Sequence, residues 1–138
     1  MPEFIFPIRV YYEDTDSGGV VYYANYLKFM ERARTEYLRS LGFEQDEIVA
    51  NEGVLFAVRS LKIDYLKPAR FNQLLNITVH VAEIRKASLL FAQRVELAEQ
   101  EASKILCAGE VKVACLDAGT FRPTAIPPRI LREVTSER

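Results

Sequence analysis

The chain has 138 residues, 49% of them apolar and 27% charged, with 18 basic against 19 acidic side chains and a net charge of −1. That length fits one domain, residues 1–138, able to bury roughly two thirds of its unfolded surface without staples. The near-neutral balance argues against nucleic acid as a partner, and no apolar run approaches the roughly 18 residues of a transmembrane segment.

Met1-Pro2-Glu3-Phe4 has no basic segment leading into an apolar one, so no export signal is read and a cytoplasmic location is expected. Phe4 to Tyr12 alternates as a strand, with Ile5, Pro7, Arg9 and Tyr11 on one side and Phe6, Ile8, Val10 and Tyr12 on the other. Pro7 marks an edge or an irregular start. Glu13 to Gly19 is a polar, turn-rich loop. From about Tyr23 to Leu41 the period becomes helical. Tyr26, Phe29, Met30, Ala33, Tyr37, Leu38 and Leu41 form one stripe, while Lys28, Glu31, Arg32, Glu36 and Arg39 lie opposite. Arg32 and Glu36 are spaced to pair, and Gly42 is the expected stop. No other long helical pattern appears.

The remainder reads as strands. Leu61, Ile63 and Tyr65 alternate with Ser60, Lys62 and Asp64 in the run from Leu55 to Tyr65, which Pro68 ends. Leu75, Ile77, Val79 and Val81 alternate with Asn76, Thr78 and His80. Leu89, Phe91, Val95 and Leu97 oppose Arg94 and Glu96. Ile105, Cys107, Val111, Val113 and Cys115 share a face up to Asp117. Each run is expected to bury one face. The short connections Ile84-Arg85-Lys86-Ala87 and Glu99-Gln100-Glu101 imply antiparallel neighbours, and the tail beyond Arg129 is expected to be loosely held. One amphipathic helix must then cover a five-stranded antiparallel sheet, an α+β order and length that are those of a hot-dog domain.

The residue inventory excludes much chemistry. His80 is the single histidine and shares a face with Asn76 and Thr78, so it is expected at solvent or a subunit contact. A Ser-His-Asp or Cys-His triad needs a histidine beside its nucleophile. Cys107 and Cys115, eight apart on one strand face, are too distant to bridge and match no metal spacing. They read as core residues. Gly18-Gly19 lacks the longer glycine pattern and following lysine of a phosphate loop. No metal or cofactor is expected.

Carboxylate chemistry remains. Asp14-Thr15-Asp16 stands just before the helix, where aspartate is also favoured as a plain turn or cap residue. Two glycines follow, allowing close backbone approach to a ligand. The segment then enters a helix N-terminus, whose free N–H groups can hold developing negative charge. Tyr22, Tyr23 and Tyr26 crowd the same place. A carboxylate beside such an oxyanion site suits acyl transfer.

The run from Val10 to Tyr26, with Asp14-Thr15-Asp16-Ser17-Gly18-Gly19-Val20-Val21-Tyr22 at its centre, resembles the 4-hydroxybenzoyl-CoA thioesterase family, in its YbgC-like branch. Glu31-Arg32-Ala33-Arg34-Thr35-Glu36, Asp64-Tyr65 with Pro68-Ala69, and Lys112 to Asp117 carry the resemblance across nearly the whole chain. It implies a homo-oligomer, a hot-dog dimer commonly paired into a tetramer, with active sites at the dimer interface. It implies hydrolysis of an acyl-CoA to free acid and CoA, on a short-chain or aromatic acyl group. The catalytic carboxylate falls on Asp16, with Asp14 supporting it, and the carbonyl-polarising backbone N–H falls on Tyr23. Gly19, Val20, Tyr22, Asn25 and Tyr26 fall in the substrate pocket. Arg85, Lys86 and Ser88 match a nucleotide-contacting turn, and Arg59, which interrupts an apolar strand face, is a further CoA candidate. Many members of that branch have His where this chain has Tyr23; a role through the backbone amide tolerates the change. The resemblance leaves open whether Asp16 is nucleophile or general base, and whether acyl carrier protein replaces CoA. A hydratase would need a histidine at Val21. A non-catalytic acyl-CoA or acyl-carrier-protein binding module is the remaining alternative.

Overall fold

The computed structural model describes residues 3–98 and 104–137. The elements are β1 (Phe4–Arg9), α1 (Asn25–Ser40), α2 (Gln45–Glu52), β2 (Val54–Tyr65), β3 (Leu74–Ile84), β4 (Ser88–Leu97), β5 (Lys104–Asp117) and α3 (Pro128–Glu137). The strands form one antiparallel sheet in the order β1-β3-β4-β5-β2. α1 packs across β1, β3 and β4, while α2 packs on β2. This is the expected hot-dog arrangement, with the sheet around one long helix. The connection at Glu99-Gln100-Glu101 lies outside the described residues.

The apolar stripe of α1 is what the sheet encloses. Phe29, Met30 and Ala33 are buried essentially completely, and Tyr26, Tyr37 and Leu38 nearly so. Opposite them stand Leu75, Ile77 and Val79 of β3, and Leu89, Phe91 and Val95 of β4. Each such large side chain contributes about 1.5–3 kcal/mol by leaving water. α1 begins at Asn25, two residues later than its periodicity suggests, because Tyr22 to Ala24 form the turn that enters it. Leu41 and Gly42 end it, Gly42 at φ +94°, a conformation that a Cβ would strain. Both cysteines are buried and free, and burial pushes their thiols up, Cys107 to about 12 and Cys115 to about 11.

Several expectations are corrected. β1 stops at Arg9, and Tyr12–Asp14 turns into a short 3-10 segment, so Tyr12 is exposed rather than inward. The Arg32–Glu36 pair does not form: Glu36 pairs with Arg39, which also reaches Glu44 at 2.9 Å. Two further helices exist. The tail forms α3 and seats Ile130 and Val134 in the core, so it is not loosely held. On β5, Ile105 is turned outward because the ladder with β4 slips between Val95 and Glu96. Cys107 then pairs with Val95 while Ile105 pairs with Glu96. On β2, Leu61 and Tyr65 occupy the inner face yet are 43% exposed, and the rings of Tyr23 and Tyr26 cover Tyr65 only in part.

His80 is half-buried on the outer face near Glu3. Glu3 forms a bidentate pair with Arg94 at 2.6 and 2.9 Å, which holds its carboxyl below the ordinary value. A group depressed in the folded state stabilises the fold above its unfolded pKa and stops doing so as pH falls through the folded one. Wild type should exceed Glu3→Gln by up to about 1 kcal/mol near neutrality. The two melting temperatures should converge as pH drops below about 4, which thermal melts across that range check.

Candidate active site

The loop between β1 and α1 is built by backbone pairing. Asp14 Oδ2 accepts from the Tyr11 N–H at 2.8 Å. The Asp14 carbonyl accepts from the Tyr22 N–H at 2.9 Å and from Asn25 Nδ2 at 2.8 Å. Asp14 is thus spent on shape, which fits its expected supporting place. Asp16 closes the next turn: its N–H donates to the Val20 carbonyl at 2.9 Å, and its carbonyl accepts from Gly19 at 3.0 Å. Gly19 sits at φ +78°, which lets this tight turn close.

The Asp16 side chain is exposed. Oδ1 accepts from the Gly18 N–H at 2.8 Å, and Oδ2 has no partner among the described residues. One oxygen is therefore fixed and the other free to act. The connector from β2 to β3 clamps the far side of the loop. The Val21 N–H donates to the Ala69 carbonyl at 2.8 Å, Val20 bridges Arg70, and the Ala69 N–H donates to Tyr26 Oη at 3.0 Å. Tyr65 Oη donates to the Tyr23 carbonyl at 3.1 Å.

Within this heavily bonded stretch the N–H groups of Tyr23 and Ala24 have no acceptor among the described residues. They sit immediately before α1, so the helix dipole favours negative charge near them. Four aromatic rings gather here. Tyr22 and Tyr23 lie 4.9 Å apart, and Tyr65 lies 6.1 Å from Tyr23 and 5.5 Å from Tyr26. The charge and hydrogen bond of Tyr23 raise the pKa of Tyr22, and burial raises that of Tyr26, partly offset by its bond from Ala69. Both stay neutral phenols at neutral pH.

The structure thus brings Asp16, Gly19, Val20, Tyr22, Tyr23, Asn25 and Tyr26 to one place. The expected CoA contacts are elsewhere in the chain. Arg85 and Ser88 line a cavity of about 270 Å³ on the outer sheet face with Lys62 and Lys112. Arg85 also pairs with Glu83 at 3.5 Å, and Ser88 is largely buried. Lys86 is exposed on the connection into β4, its carbonyl held by Ile126. Arg59 is the exposed bulge residue of β2, where the register with β5 shifts between Val58 and Ser60. That bulge, not a break in a buried face, accounts for its place in the pattern. Among the described residues no cluster of three His, Cys, Asp or Glu side chains is placed to hold a metal.

Reading the residues alone did not place Tyr65, Ala69 or the Ala24 N–H at the site. Asp64-Tyr65 and Pro68-Ala69 stood out as the end of a strand and as part of the family resemblance, with no place at the site. Their link to the loop needs the long-range register that brings the end of β2 beside the start of α1.

A family model described as the thioesterase superfamily matches residues 18–104, which takes in Gly19, Tyr23 and all of α1 and opens just past Asp16. The acyl-CoA thioesterase YbgC of Haemophilus influenzae is 46% identical over 92% of this chain and 90% of its own length. The acyl-CoA thioester hydrolase YbgC of Escherichia coli O6:H1 is 45% identical over 94% of each. The crystal structure of a probable thioesterase from Bartonella henselae superposes with a TM-score of 0.84 at 32% identity, covering 91% of this chain and all of that one. With that span, those identities and that fold, the chain belongs to the thioesterase superfamily, in its YbgC-like branch.

Proposed function

We propose that the chain hydrolyses acyl-CoA thioesters to free acid and CoA, with Asp16 as the acting carboxylate. The observation that carries this reading is the presence, in one short loop ahead of α1, of a half-free carboxylate at Asp16 and two N–H groups, at Tyr23 and Ala24, without an acceptor among the described residues. The relatives named above, called acyl-CoA thioesterase or thioester hydrolase, support the same activity. The Tyr23 amide holds the carbonyl oxygen as charge develops on it. The free Asp16 oxygen then has two routes. It attacks the carbonyl carbon, expelling CoA thiolate and leaving an acyl-aspartyl anhydride that water opens. Or it takes a proton from a water that attacks directly. In either case the thiolate leaves with a proton and the acid is released.

Position 23 acts through its backbone, so a tyrosine there serves as well as a histidine. Its ring, with Tyr22, Tyr26 and Tyr65, gives an aromatic approach that suits a short or aromatic acyl group. Arg85, Lys86, Ser88 and Arg59 are the proposed contacts to the CoA phosphates. Arg85 and Ser88 lie on the sheet face away from α1, which fits a site assembled from two copies. β2 supports the same partner: it is a twelve-residue edge strand with Val58, Leu61 and Tyr65 exposed, an edge that single chains seldom leave open. The proposed location is cytoplasmic; no helix among the described residues is long and apolar enough to cross a membrane.

Thiol release measured across short aliphatic, aromatic and long-chain acyl-CoA tests the substrate class. Short-chain or aromatic members should turn over fastest. A clear preference for long chains would overturn that choice.

A further inference from the structure

The peptide that leads into α1 is gripped by one side chain from the far end of the sheet. Tyr65 ends β2, in register with Cys107 of β5. Its hydroxyl reaches across to donate to the Tyr23 carbonyl at 3.1 Å. That carbonyl belongs to the same peptide group as the Ala24 N–H. A hydrogen bond accepted at one end of a peptide polarises the donor at the other. It also fixes the plane of that peptide and so the direction of the Ala24 N–H, which lies next to the free N–H of Tyr23 in the preceding peptide. The rest of the connector holds only the flanks of this turn, Ala69 and Arg70 reaching Val20, Val21 and Tyr26. Between those anchors Tyr65 is the described side chain that touches the backbone of Tyr23.

We infer that Tyr65 is a positioning residue for hydrolysis: its hydroxyl aims and sharpens the free Ala24 amide, beside that of Tyr23, at the substrate carbonyl. This rests on the thioesterase reading above. Burial holds the phenol above its ordinary pKa, so it remains a donor throughout the neutral range. A purely structural part would reside in the ring, which packs on Tyr23 and Tyr26. Tyr65→Phe keeps that ring and removes only the hydroxyl, so the two roles separate.

The test is steady-state thiol release by the full chain, wild type, Tyr65→Phe and Asp16→Asn side by side. Tyr65→Phe should lower kcat roughly tenfold, less than the roughly 10²–10³-fold loss on removing an oxyanion donor itself. KM and the melting temperature should stay near wild type, and the Ala24 amide nitrogen resonance should shift. Placing 4-aminophenylalanine at position 65 restores a donor and should recover most of kcat. Wild-type kcat in Tyr65→Phe, beside an inactive Asp16→Asn, would overturn this inference and leave the thioesterase reading standing. So would a loss of kcat that the amine does not rescue. No turnover by wild type on any ester would bring both down.

Discussion

Asp16→Asn should lower kcat on the order of 10³-fold while leaving the melting temperature unchanged, the scale of losing a positioned base or nucleophile. The substitution is mild for the fold. An asparagine Oδ1 still accepts the Gly18 N–H that shapes the turn, and the main-chain bonds to Val20 and Gly19 are untouched. What disappears is the negative charge on the oxygen that has no partner. KM should change little, since the Tyr23 and Ala24 amides and the tyrosine rings are untouched. Steady-state kinetics with a thermal melt on the same sample check this. Turnover near wild type would remove Asp16 from the chemistry.

Gln93→Leu should cost about 2–4 kcal/mol, a loss that arises far from the chemistry. Gln93 stands on the inner face of β4, between Phe91 and Val95, and is 1% exposed. Its Oε1 accepts from Arg34 Nη1 at 2.9 Å, and its Nε2 donates to the Met30 carbonyl at 3.1 Å. Burial presses the Arg34 pKa downward, opposed in part by the charge of Glu31, so this guanidinium depends on the few polar contacts it has. No carboxylate among the described residues pairs with it. Leucine fills the space but leaves the charge without its acceptor. The melting temperature should fall by about 10 °C, at roughly 2–4 °C per kcal/mol for a chain this size. Adding Arg34→Met should return part of the loss, because the double variant no longer strands a charge. Equal or additive losses would show that the two side chains act separately.

How much of this was legible in the sequence depended on the range of the signal. The α1 stripe is a local, period-3.6 pattern, and all but Leu41 of its predicted members are buried. Facing in the strands was equally local, and Leu75, Ile77, Val79, Leu89, Phe91 and Val95 turn inward as their alternation requires. Coverage was not legible. Leu61 and Tyr65 face inward by pattern, but what lies above them is set by where α1 crosses the sheet. Gln93 broke the apolar run of β4, and pairing it with Arg34 needed the helix laid over that strand. α2 buries only Ile48, so it gave no stripe to see. α3 carried a readable signal in Pro128 at its first position with Ile130 and Val134 four apart, outweighed by its terminal place. At the site, Asp16, Gly19 and Tyr23 fall within one eight-residue run and were visible as one motif. Tyr65 was not, since it joins them from 42 residues away.

The most direct test of the central claim follows binding and thiol release together, for wild type and Asp16→Asn, on a short-chain or aromatic acyl-CoA. The account predicts that both proteins bind the ester with similar affinity and that only wild type releases CoA thiol and free acid. Binding by both with release by neither would make the chain an acyl-CoA binding module. Equal release by both would place the chemistry on some group other than Asp16.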